Sequence, residues 1–74
     1  MLTMFTVYQR PKDYPDEFVV REYEIRQEQV VASRLVVRAP TLDAARRALR
    51  RRRPDLVCIP RALADDPVIV ESWI

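Results

Sequence analysis

Arginines in the middle of the chain have the type and spacing to contact phosphate groups. One amphipathic stretch carries Arg46, Arg47, Arg50 and Arg51, and two more arginines follow it directly. Guanidinium groups bind phosphate oxygens through paired hydrogen bonds, so arginines on one side of a helix predict salt-dependent nucleic-acid binding. A solvated helix surface is the preferred interpretation, because the net charge is only +2 and no Asn, Gln or aromatic residue stands among these arginines to read bases.

A second candidate surface belongs to the predicted strands. Tryptophan, tyrosine, methionine and arginine are enriched where proteins bind each other, and aromatic side chains beside arginines also stack on single-stranded nucleic acid. Alternation along the strands places one such set away from the predicted helix. The candidate interaction face consists of Met4, Tyr8, Arg34, Val36, Arg38, Ile69 and Trp73. Burial of these residues under loops, without a binding role, is the alternative.

Three residue counts exclude most catalytic chemistry. The chain has no histidine, no glycine and one cysteine. Without histidine the common general base and the imidazole metal ligand are missing. Without glycine there is no phosphate-binding loop of the Walker type and no dinucleotide fingerprint, and one cysteine makes neither an internal disulfide nor a thiolate zinc site. We therefore predict a protein that is not an enzyme and that has no cofactor, no metal site and no catalytic residues.

The remaining polar candidates carry weak signals. Cys58 lies in an apolar run and is interpreted as a buried, inert thiol. Asp65 and Asp66, with Glu71 downstream, could supply oxygen ligands to a hard cation. Two adjacent carboxylates outside a bent loop are more typical of a solvated turn, which is the preferred interpretation.

Size and composition indicate one small globular domain over residues 1–74. Hydrophobic residues make up 49% and charged residues 32% of the 74 positions, which is ordinary for a folded domain. A chain this short buries only about 60–65% of the surface of its unfolded state, so self-association would supplement its stability. No apolar run approaches the ~18 residues that span a bilayer, and the N-terminus has no secretory pattern. We therefore expect a cytoplasmic protein without a membrane partner.

Hydrophobic alternation predicts four strands and a fifth, shorter segment. Phe5 and Val7 are expected to face the helix in the first strand. The absence of glycine and asparagine near Gln27 favours a connection of about four residues between the second and third strands over a two-residue turn. The predicted strands are Thr3–Arg10, Phe18–Ile25, Val30–Ala39 and Val68–Ile74, and residues 55–60 are either a short strand or an extended core segment.

One helix is clearly indicated between the third strand and the short apolar run. Thr41 has the side chain of an N-cap, and Asp43 in the first turn complements the positive end of the helix dipole. Leu42, Ala45 and Leu49 form one apolar stripe. Pro54 ends the helix, because proline cannot continue the hydrogen-bond ladder.

The element order predicts a two-layer α+β fold. It consists of a mainly antiparallel four-stranded sheet in the order β-β-β-α-β, with one helix on one face. A right-handed crossover through the helix would bring the last strand parallel to the third strand or to the first, and an arrangement with the last strand beside the first is favoured.

Several segments together resemble a family of short uncharacterised bacterial and prophage proteins. The resemblance covers most of the chain and implies no activity, cofactor or site. The run of four arginines from Arg50 to Arg53 and the glycine-free hairpin depart from the family's pattern. The segments that carry the resemblance are residues 5–8, 10–15, 18–21, 41–46, 60–61 and 65–74.

The sequence therefore favours a protein-interaction module. The module docks a protein partner, or a second copy of itself to form a homodimer, through its sheet face or an edge strand. The alternative function is a small nucleic-acid-binding accessory protein that uses the arginine-rich helix or the aromatic sheet face.

Overall fold

The computed structural model describes residues 2–62 and 66–74. Strong alternation and β-branched or aromatic residues produce the strands, and the apolar stripe around Leu49 produces the helix. The elements are β1 (Leu2–Gln9), β2 (Phe18–Arg26), β3 (Gln29–Ala39), α1 (Leu42–Arg52), β4 (Cys58–Pro60) and β5 (Ile69–Trp73).

The strands form one sheet in the order β3-β2-β1-β5-β4, and every neighbouring pair is antiparallel. The α+β class with one helix is confirmed, and the last strand lies beside the first. The prediction of four strands is wrong, because β4 pairs with β5 and forms a fifth. The predicted parallel orientation of the last strand is wrong for the same reason. The helix leads back to β4, and the chain then reverses once more before β5.

The turn between β2 and β3 also differs from the prediction. Only Gln27 and Glu28 separate the strands, and their φ angles are 50° and 64°. Positive φ at both central residues is the geometry of a two-residue turn of type I′, which follows the twist of the strands. Neither residue is a glycine or asparagine, so the long paired strands impose a backbone conformation that these residues disfavour on their own.

Helix α1 begins and ends as the sequence predicts. The Thr41 side chain accepts a hydrogen bond from the backbone N–H of Ala44 at 3.1 Å, and Asp43 lies in the first turn. The Arg53 N–H donates to the carbonyl of Leu49 at 2.9 Å, and Pro54 follows. No helix among the described residues is long and apolar enough to cross a bilayer.

The core lies between α1 and one side of the sheet. Phe5 and Val7 face the helix, as predicted. The buried residues that form this cluster are Phe5, Val7, Val20, Val37, Ala39, Ala45, Leu49 and Trp73.

Irregular register in two places decides which side chains enter this core. Val37 pairs with Val20 but Leu35 pairs with Arg21, so Val36 is an extra residue in β3. A second shift, between Val7 and Tyr8, lies where β1 pairs with β5. A β-bulge reverses the alternation beyond it, so residues of the same parity lie on opposite faces on its two sides.

Replacement of Leu49 by alanine tests the helix–sheet contact. Leu49 is fully buried, and removal of a buried leucine side chain leaves a cavity that costs about 2–5 kcal/mol. We expect Leu49→Ala to lower the free energy of unfolding by that amount in urea denaturation. The exposed Arg52 provides the control, since Arg52→Ala should change the free energy by less than about 0.5 kcal/mol. Equal effects of the two substitutions would contradict this packing.

Candidate functional site

The side of the sheet that α1 does not cover, termed here the open face, is the candidate site. Strand register assigns its members, because alternate residues of each strand point to the same side. Met4 pairs with Tyr23 in the adjacent strand, and Thr6 lies between Arg21 and Ser72. A shallow depression of about 300 Å³ on this face is lined by Met4, Thr6, Tyr8, Tyr23, Val30, Ile69 and Ser72.

Exposed aliphatic side chains are concentrated on the open face. Ile25 pairs with both Leu2 and Val30, and Ile59 pairs with Ser72. Val57 and Ile74 exchange backbone hydrogen bonds of 2.7 and 3.0 Å, which continues the β4–β5 pairing by one residue. Six large hydrophobic residues in 2–62 and 66–74 are exposed, and five of them lie on this face, namely Leu2, Val30, Val57, Ile59 and Ile74. Their clustering on one surface distinguishes them from the scattered exposed leucines and valines of ordinary surfaces.

Hydroxyl groups at the centre of the open face bond to each other. The Tyr8 and Tyr23 hydroxyls form a hydrogen bond across two adjacent strands, and Thr6 Oγ1 lies 3.4 Å from Ser72 Oγ. Burial and the bond to Tyr23 raise the pKa of Tyr8, so the Tyr8 hydroxyl keeps its proton at physiological pH. The hydroxyl groups at the centre of this face already have partners within the chain.

The charged residues of the open face are paired at the end nearest the β1–β2 loop. Arg21 lies 3.3 Å from Asp13. Arg38 donates two hydrogen bonds to Glu17, at 2.7 and 3.1 Å, and its guanidinium lies 4.7 Å from the centre of the Tyr14 ring. The loop therefore neutralises both arginines, and the opposite end of the face is aliphatic.

Four residues of the predicted interaction face lie on the open face: Met4, Tyr8, Ile69 and Arg38. The placement of the other three is corrected. Trp73 is buried in the core with 5% exposure, and Val36 packs against that core. Arg34 pairs with Glu22 on the helix side of the sheet, 2.7 Å from its carboxylate.

The bulges explain these corrections. Val36 is the extra residue in β3, so Arg34 and Arg38 lie on opposite faces despite their equal parity. The shift in β5 separates Ile69 from Trp73 in the same way. Sequence reasoning also missed Tyr23, Val30 and Ile74, whose membership of the face depends on register rather than on residue type.

The edges of the sheet are less suited to binding than its open face. The outer strand β3 has two register shifts, near Val36 and Val31, and exposed arginines at positions 34 and 38. The other outer strand, β4, has three residues and ends at Pro60. Bulges, charges and proline on short outer strands are the features that block the addition of another strand.

On the helix side, Glu71 is the centre of a buried polar cluster. Its carboxylate accepts hydrogen bonds from Arg46 at 2.6 and 3.0 Å and from the Trp73 indole at 2.8 Å. These bonds hold the pKa of Glu71 below its ordinary value. Glu71 therefore joins α1 to β5.

Cys58 and Asp66 have separate surroundings in the structure. Cys58 is exposed, so the prediction that it is buried is wrong. Partial desolvation and the nearby negative charge of Glu71 raise the pKa of its thiol. Asp66 accepts a hydrogen bond from the Val68 N–H at 3.0 Å, and Asp65 lies outside the described residues. No three acidic or cysteine side chains in residues 2–62 and 66–74 are grouped to hold a metal ion.

The four arginines predicted to contact phosphate groups have different partners in the structure. Arg46 is bound to Glu71, and Arg47 is paired with Asp43 at 2.8 Å. Arg50 lies over the Trp73 ring, 5.4 Å from its centre. Arg51 is exposed. Two of the four residues proposed for phosphate contact thus have carboxylate partners, because the Arg46 side chain reaches Glu71 of β5 and the helix carries its own aspartate.

Comparison of the chain with protein-family models, with curated proteins and with solved structures gives no match. The resemblance to short bacterial and prophage proteins therefore stays a prediction.

Glu71 supplies a testable pH dependence. A carboxyl whose pKa is lowered by folding stabilises the protein above its unfolded pKa, near 4.5, and this contribution is lost as the pH falls through the folded pKa. We expect Glu71→Gln to lower the free energy of unfolding at pH 7 by about 2–3 kcal/mol, because Arg46 loses its ionised partner. The difference between wild type and variant should shrink as the pH falls below about 4.5, as measured by urea denaturation.

Glu24→Gln is the control for Glu71→Gln, since Glu24 makes no ion pair with another described residue. It should leave the free energy of unfolding almost unchanged over the same pH range. A constant difference between wild type and Glu71→Gln at all pH values would contradict the ionised Glu71–Arg46 pair.

Proposed function

We propose that this chain is a non-catalytic protein-interaction module that docks an apolar, uncharged protein surface on its open face. The supporting observation is that, of the six exposed large hydrophobic residues in the part of the chain that the structure describes, this face carries five. Burial of aliphatic surface is the main favourable term in protein association and contributes about 25 cal/mol per Å².

The pairing of polar groups on the open face supports the same proposal. An interface loses stability when it covers a polar group that has no partner, at about 1–3 kcal/mol per group. Here the hydroxyls of Tyr8 and Tyr23 bond to each other, and the two arginines are paired with loop carboxylates. A partner can therefore cover this face without supplying charges of its own.

A photo-crosslinking amino acid placed on the open face tests this function. We expect substitution at Ile59, which is 43% exposed, to yield covalent protein adducts on irradiation of cells of the source organism. The adduct is expected because a docked partner lies within reach of the reactive group. The measurement is a shift in mass of the chain on a denaturing gel, followed by mass spectrometry of the adduct.

The matched control carries the photo-crosslinking amino acid in place of Arg52, which is exposed on the helix. This variant should yield no comparable adduct. Absence of any adduct from position 59, or equal adducts from both positions, would refute docking through the open face.

Nucleic-acid binding is a second candidate function, favoured by one observation. Arg51 and Arg52 are exposed in the last turn of α1, and neither forms an ion pair with a residue in 2–62 or 66–74. Unpaired guanidinium groups on one turn could contact neighbouring phosphates of a nucleic-acid backbone. The ion pairs of Arg46 and Arg47 leave this surface smaller than the sequence suggests.

Fluorescence anisotropy with a labelled duplex and a labelled single strand tests this second candidate. The double variant Arg51→Gln and Arg52→Gln should raise the Kd and reduce the salt dependence of log K by about 1.8 for the duplex, or 0.9 per lost phosphate contact. The double variant Lys12→Gln and Arg61→Gln removes the same charge elsewhere and should retain the wild-type slope. No anisotropy change of wild type at low salt would exclude this function.

A further inference from the structure

We propose that the surface docked on the open face is the open face of a second copy of this chain, which forms a two-fold symmetric sandwich of two sheets. This inference rests on the proposed function and identifies its partner.

Charge favours a second copy over a partner of different chemistry. In a two-fold dimer each side chain near the axis meets its own equivalent, so an excess of one charge would repel. The open face avoids this, because Arg21 and Arg38 are each paired with a carboxylate of the same chain. The exposed arginines Arg51 and Arg52 lie on α1, on the other side of the sheet, and would point outward in the dimer.

Chemical composition points the same way. The exposed aliphatic side chains of the two open faces would pack against each other. The central hydroxyl groups would need no new partner, because they are hydrogen-bonded within each copy. Packed sheets lie about 10 Å apart with interdigitated side chains. The shallow depression beside Val30 and Met4 offers space for an aliphatic side chain of the opposite copy.

The area of the face is near the lower end of the range for a specific dimer. Strands of 8, 9, 11, 3 and 5 residues, at about 3.3 Å per residue and about 4.8 Å between strands, cover roughly 570 Å² in projection. Two such faces bury roughly 1,100 Å² together, against about 1,200 Å² for the smallest standard interfaces. The bulged and proline-ended outer strands oppose growth of the sheet by strand addition, so closure of two faces is the favoured mode of association.

Sedimentation equilibrium of the purified full chain tests the inference. At micromolar concentrations we expect the wild-type chain to sediment as a dimer, with twice the 8.8 kDa mass of one chain. Val30→Arg should raise the dimer Kd at least about a hundredfold, because two-fold symmetry places the unpaired charge in the interface twice. Val30 is 60% exposed in the single chain, so the substitution leaves its core intact.

The matched control is Ala32→Arg, two residues along the same strand. Ala32 is exposed and pairs with Glu24 on the helix side of the sheet. The Ala32→Arg variant should retain the wild-type dimer Kd. Ile59→Arg, on the opposite outer strand, should reproduce the effect of Val30→Arg. Circular dichroism establishes that each variant is folded.

Wild type that sediments as a monomer up to high micromolar concentration would overturn the inference, as would equal weakening by Val30→Arg and Ala32→Arg. The crosslinking experiment separates this failure from failure of the proposed function. An adduct from position 59 with a different protein, together with a monomeric wild type, retains docking and rejects the second copy. Absence of any adduct, together with a monomer, rejects both.

Discussion

One helix is available to cover a five-stranded sheet, and this shortage of cover governs the rest of the structure. Helix α1 has 11 residues, which is about 16 Å of length and about 10 Å of width. The sheet is about 24 Å wide, so the helix covers only part of one side. Arg50 and Arg53 extend the cover by lying over the rings of Trp73 and Phe5. No helix formed by residues 2–62 or 66–74 covers the other side of the sheet, where the aliphatic residues of the open face are exposed.

The buried carboxylate of Glu71 is a consequence of this partial cover. β5 lies between the centre of the sheet and the short outer strand β4, where the helix contributes arginine rather than aliphatic side chains. A carboxylate at this position is stable because Arg46 and the Trp73 indole satisfy its oxygens. The cluster therefore extends the contact between helix and sheet beyond the small apolar core, and it removes Arg46 from the surface available to a ligand.

The β-bulges at Val36 and in β5 link the core to the open face. Each reverses the alternation of its strand, so that Val37 and Trp73 enter the core while Leu35 and Ile69, which have the same parity, stay on the open face. Without the reversal in β5, Trp73 would follow Ile69 onto the solvent side. The bulge at Val36 also twists the outer strand β3 and hinders strand addition. In β3 the same irregularity thus decides which residues enter the core and protects the edge of the sheet.

The local structure of this protein follows from interactions between residues that are close together in the chain. The Thr41 cap, the apolar stripe around Leu49 and the alternation of Phe5 and Val7 act within a few residues, and they predicted the helix, the main strands and the α+β class. Long-range contacts set the remaining features, namely the pairing of β4, the two-residue turn at Gln27, the faces of Trp73, Val36 and Arg34, and the burial of Glu71. These depend on register and on partners distant in the chain, because a shift of one residue moves a side chain to the other face. The chemistry of the arginines was visible in the sequence, but their availability was decided by which carboxylates the fold placed beside them.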